Sequence, residues 1–60
     1  MFSTVLLNFR AKNNLSQTKA AEILGTSQRM ISLYEKGKTE PTARNRIILT
    51  EKMASYERED

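Results

Sequence analysis

A small all-α domain is the fold class this sequence predicts. Apolar residues recur at helical spacing along four segments of the chain. The only glycines and proline, Gly25, Gly37 and Pro41, fall between those segments, where breakers belong. Serines stand near the heads of three segments, at Ser3, Ser16 and Ser27. A hydroxyl there can accept from one of the backbone N–H groups that a helix start leaves unpaired.

The first segment is expected from about Ser3 to Asn13, with Phe2, Leu6 and Phe9, joined by Val5, on its apolar face. Ser3 is the expected cap and Asn13-Asn14 the stop. The second segment is "SQTKAAEIL", capped by Ser16, with Ala20, Ala21 and Leu24 as a small-residue face and Gly25 as its end. The third is "SQRMISLYEK", capped by Ser27, with Ile31 and Tyr34 buried together and Gly37 closing it. The last begins at Thr42 just after Pro41. A helix there would bury Ala43, Ile47, Leu49 or Thr50, Met53 and Ala54. An α+β alternative exists, because "RIILT" is rich in β-branched residues and "SYERE" offers a returning strand. Helix is the expected state, since "EKMA" holds helix formers and no Gly, Asn or Asp to turn a hairpin.

Sixty residues are expected to form a single domain, 1–60. A chain this short buries only ~60% of its unfolded surface. It has neither Cys nor His, so disulfide and ordinary zinc staples are excluded, leaving a packed helical core or dimerisation to stabilise it. The chain carries 10 basic and 7 acidic residues, net +3. The first fifty residues hold eight basic and three acidic, net +5, and the last ten hold two basic and four acidic, net −2. A basic body suits a polyanionic partner, and 57–60 reads as an acidic tail. The apolar opening "MFSTVLLNF" is too short for a membrane span and lacks the features of a signal peptide. The expected location is therefore cytoplasmic. No paired carboxylates, catalytic His or Cys, or Gly-rich phosphate loop points to an enzyme, a cofactor or a small-molecule substrate.

Segments two and three, about 17–36, have the layout of a helix-turn-helix, whose second helix enters the DNA major groove. A small residue at Ala21 lets the two helices cross closely, and Gly25 accepts a backbone that costs other residues energy. The stretch "LSQTKAAEILGTSQRMISLYEKGKTEP" resembles the helix-turn-helix of the lambdoid phage repressors and Cro proteins, and of the wider Xre-type regulators. The resemblance runs from about Phe2 to Met53. It implies a four- to five-helix lambda-repressor-like domain in a bacterial cell, binding a two-fold symmetric double-stranded DNA operator as a homodimer to regulate transcription, as a phage- or plasmid-type repressor does.

The resemblance also implies roles. Gln28 stands at the first base-reading position, where a glutamine can pair with adenine. Arg29 follows, with a fork suited to guanine or to phosphate. Ser32 and Leu33 lie further along the same helix, within reach of base edges or a thymine methyl. Gln17 would contact phosphate and brace the recognition helix. Ser27, a cap in its own right, can also reach phosphate. Lys36, Lys38 and Arg44 surround the loop expected along the DNA backbone. Arg10 and Glu35 match positions that form a structural salt bridge in similar repressors.

Each polar residue has a plainer reading. Outside this pattern, Gln28 and Arg29 would be a solvated first turn, and Lys36, Lys38 and Arg44 ordinary surface charges. Leu33 stands where the family usually has a polar residue, and Arg46 where it usually has a buried apolar one. "SYERED" does not resemble the family's fifth helix, and "RIILT…SY" resembles the C-terminal strands of lambda Cro. A rival function is an antitoxin or anti-repressor acting mainly through protein contacts. The two readings separate by salt, because phosphate contacts release counterions and make DNA affinity fall steeply as salt rises.

Overall fold

A computed structural model describes residues 1–58 as four helices: α1 (Phe2–Asn13), α2 (Gln17–Leu24), α3 (Gln28–Glu35) and α4 (Ala43–Arg58). α3 packs against α1 and α2, and α2 packs against α4. No strand occurs among the described residues, so the hairpin alternative for the last segment does not hold.

Local chemistry sets the helix ends. Ser16 Oγ accepts from the Lys19 amide at 3.0 Å, and Ser27 Oγ from the Met30 amide at 3.2 Å. Thr42 Oγ1 does the same for the Asn45 amide at 3.1 Å, starting α4 directly after Pro41. Ser3 is no cap. α1 begins one residue earlier, at Phe2, and Ser3 lies buried inside the helix. The reason is tertiary: Phe2 is 1% exposed and meets Tyr34 edge-on, ring centroids 5.4 Å apart, which draws the chain into the helix at that residue. α1 ends on Asn14 in the left-handed conformation (φ 56°), with the Leu15 amide returning to the Arg10 carbonyl at 2.9 Å. α2 ends on Gly25 (φ 72°), and the Thr26 amide returns to the Ala21 carbonyl at 3.0 Å.

The core gathers Phe2, Leu6 and Phe9 of α1, Ala20, Ala21 and Leu24 of α2, Ile31 and Tyr34 of α3, and Leu49 and Met53 of α4. Val5, expected on the apolar face of α1, is exposed, because that face is satisfied by the row Phe2–Leu6–Phe9. In α4 the buried stripe is narrower than expected. Leu49 and Met53 turn inward, with Ala54 and Tyr56 half-buried, while Ala43, Ile47 and Thr50 are exposed. Tyr56 reaches Phe9 edge-on at 5.8 Å. The positions 49, 53 and 56 fall on one face only in a helix, and this face holds "RIILT" helical against its weak β preference, which costs less than ~0.7 kcal/mol per residue.

Two polar residues of α4, Glu57 and Arg46, complete the framework. Glu57 accepts from Asn13 Nδ2 at 2.8 Å and lies 3.5 Å from Lys12 Nζ, tying the end of α4 to the end of α1. Arg46, at a position where an apolar residue was expected, stays exposed and sets its guanidinium over the Phe2 ring, 5.7 Å from the centroid. Of the acidic tail 57–60, Glu57 and Arg58 belong to α4, and Glu59 and Asp60 lie outside the described residues.

Candidate nucleic-acid interface

α2 and α3 are short helices joined by the tight Gly25–Ser27 turn, and α3 divides its side chains sharply. Ile31 is fully buried and Tyr34 nearly so, which anchors one face. Beside them and then opposite them run two rows at helical spacing. Gln28, Ser32 and Glu35 form one, and Arg29, Leu33 and Lys36 the other. Gln28, Arg29 and Lys36 are exposed, and Ser32, Leu33 and Glu35 are half-buried.

Glu35 is the fixed end of this surface. Its side chain is only 6% exposed. Arg10 Nε donates to Glu35 Oε2 at 2.5 Å, and a second guanidinium nitrogen donates to Oε1 at 2.9 Å, a two-pronged pair. The remaining Arg10 nitrogen donates to the Leu15 carbonyl at 2.9 Å. Gln17 Nε2 also donates to Glu35 Oε1, at 3.0 Å. Burial by itself pushes the Glu35 carboxyl up. The hydrogen bonds from Arg10 and Gln17, with the charge of Arg10, outweigh burial and hold it below the usual carboxylate range. The hydrogen bond to Glu35 in turn raises Arg10.

Gln17 then connects this ion pair to the start of α3. Its Oε1 accepts from Gln28 Nε2 at 3.4 Å. A continuous polar chain therefore runs from Arg10 through Glu35 and Gln17 to Gln28, joining α1, α2 and α3. The bond to Gln17 uses one of the two Gln28 amide hydrogens. The other hydrogen and the carbonyl oxygen stay available, and these are the donor and acceptor that a bidentate contact with adenine requires.

The remaining candidate residues lie around this surface. Ser27 is exposed with its hydroxyl committed to the Met30 amide. Lys36 and Lys38 are exposed on either side of Gly37, whose φ of 72° turns the chain away from α3. Arg44 is exposed in the first turn of α4, on the face turned away from Leu49 and Met53. The resemblance implies that Gln17 braces the recognition helix, but not that it does so through Glu35, 18 residues away in sequence. The Asn13–Glu57 bond spans 44 residues and had no signal in the sequence.

Such a scaffold, with a braced recognition helix and an exposed polar first turn, defines a helix-turn-helix DNA-binding domain. The family model described as Helix-turn-helix matches residues 6–53, most of the chain. The protein belongs to that family, in its Cro/C1-type, Xre-like branch, and is a DNA-binding transcriptional regulator of that type. No curated protein and no solved structure gives a significant match. Among the described residues, no helix is long and apolar enough to cross a membrane.

Proposed function

We propose that the protein is a repressor that binds a two-fold symmetric operator as a homodimer. Each α3 lies in a major groove, with half-site centres roughly one helical turn apart, ~34 Å. The observation that carries this reading is the amide of Gln28, exposed at the start of α3 and braced by Gln17. A side chain so held loses less rotamer freedom when it meets a base. Gln28 reads an A·T pair and Arg29 a neighbouring guanine or a phosphate. Ser32 reaches a base edge one turn on, and Leu33 offers the apolar contact a thymine methyl accepts. Phosphates are contacted by Gln17, Ser27, Lys36 and Lys38, and the N-termini of α2 and α3 add backbone donors. Repression follows from occlusion of the promoter.

The test is selection of bound duplexes from a random pool. A palindromic consensus containing an A·T pair that Gln28→Ala no longer enriches is expected. A pool that shows no enrichment would overturn the DNA-reading role in favour of a protein-directed one, such as an antitoxin.

A further inference from the structure

α4 leaves one face without a partner. Leu49 and Met53 turn inward, and on the opposite face Arg44, Ile47, Ile48 and Glu51 recur at the i, i+3, i+4, i+7 spacing of a single stripe. All four are exposed, Ile47 at 60% and Ile48 at 39%. Scattered surface isoleucines are ordinary. Here two are adjacent and are flanked one turn away by a positive charge on one side and a negative charge on the other. Among the described residues, neither Arg44 nor Glu51 has an ion-pair partner within the chain.

We propose that this stripe is the contact between two copies of the chain. α4 packs antiparallel on α4 of a second copy, about a two-fold axis passing between Ile47 and Ile48. The inference rests on the homodimer reading above and supplies its surface. In this register each Ile47 meets Ile48 of the second copy, and each Arg44 meets its Glu51. The charges select the arrangement. A parallel pair would set Arg44 against Arg44 and Glu51 against Glu51. An antiparallel pair shifted to centre on Glu51 would set Arg44 against Arg58 and Glu51 against itself. The register centred on the isoleucines sets each Arg44 and each Glu51 against an opposite charge, and it is isologous, so it closes at two copies. It also turns Arg44 toward protein, leaving the backbone contacts of the loop to Lys36 and Lys38.

Four isoleucines and two ion pairs make a small contact, below the ~1,200 Å² typical of stable complexes. The dimer is therefore weak in free solution. Two operator half-sites strengthen it by holding the copies at high effective concentration.

Sedimentation equilibrium of the full chain without DNA tests the contact, with circular dichroism confirming that each variant is folded. The wild-type chain dimerises below ~1 mM. Ile47→Lys raises the dimer Kd by about tenfold or more, since each dimer loses two buried isoleucines. Arg44→Glu and Glu51→Arg each weaken the dimer, and the double variant Arg44→Glu/Glu51→Arg brings it back to near wild-type strength. A chain that stays monomeric at ~1 mM overturns the proposal. So does a dimer indifferent to Ile47→Lys, or single charge reversals that the double variant does not rescue. Because DNA is absent, the two readings fail separately. A monomer that still selects a palindrome removes this contact alone. A dimer that behaves as described but enriches no DNA sequence removes the operator reading alone.

Discussion

Replacing Arg10 with methionine keeps an apolar stem but strips Glu35 of its counter-charge. The variant loses two charged hydrogen bonds to a carboxylate that is only 6% exposed, and a third to the Leu15 carbonyl. Removing one partner of a fully buried pair costs ~3–5 kcal/mol. The Arg10 side chain keeps 24% of its surface in water, and Gln17 remains beside Glu35. Both effects reduce the loss to about 2–3 kcal/mol. A domain of 60 residues has a total stability of only ~3–9 kcal/mol, so the midpoint of thermal unfolding falls by ~10–20 °C. Urea unfolding followed by circular dichroism measures the difference. The pH dependence has a definite sign. In the wild-type chain Glu35 titrates below its ordinary value of 4.5, so the pair contributes fully above that pH and is lost as pH falls through the depressed folded value. In Arg10→Met burial dominates, the carboxyl is pushed up, and acid relieves the unpaired charge. The gap between wild type and variant therefore narrows as pH falls from 7 to 3. Adding Glu35→Leu removes the orphan charge and recovers most of the loss. A deficit below ~1 kcal/mol, or one that does not change with pH, would show the pair to be a screened surface contact.

Three further outcomes are expected. Gln28→Ala weakens specific binding by ~1–3 kcal/mol and relaxes preference at one base pair, read by competition among single-base operator variants; intact selectivity would remove Gln28 from the base-reading set. Lys38→Ala weakens binding to all sequences alike and reduces the slope of log affinity against log salt by ~1, and an unchanged slope would remove Lys38 from the phosphate contacts. Gly25→Ala costs about 1–2 kcal/mol in urea unfolding, because an L-residue is forced to a φ of 72°. The new methyl would lie 2.8 Å from Lys52 Nζ, the movable tip of a long side chain, so backbone strain sets the loss. Gly25→Asn then costs less than Gly25→Ala, as Asn14 already adopts a φ of 56°; equal losses would point to crowding instead.

The first three helices were largely legible because their signals are local. Ser16 and Ser27 cap amides three residues on, and Gly25 supplies the left-handed turn between α2 and α3. Ile31 and Tyr34 share a face whatever surrounds them. The motif spacing followed, and with it the expectation of a DNA-reading helix. Apart from the Arg10–Glu35 pair, which the resemblance implied, residues whose state depends on distant partners were not legible. Ser3 reads as a cap until Phe2 is seen packed on Tyr34. Ile47 is an apolar residue at a permissible core position, and only the packing of α4 on α2 decides that Leu49 and Met53 go inward and Ile47 outward.

α4 itself shows the division most clearly. Pro41 and Thr42 announce where it starts, but the β-branched run that follows leaves helix and hairpin close in local energy. The choice belongs to contacts far away in sequence: Tyr56 on Phe9, Glu57 on Lys12 and Asn13, and Arg46 over Phe2. Caps, turns and the helix-turn-helix spacing are written within a few residues of where they act, so they can be read in order along the chain. Which face of α4 is buried, and how Gln17 joins Glu35 to Gln28, depend on which helices meet, and that is known only once the chain has folded.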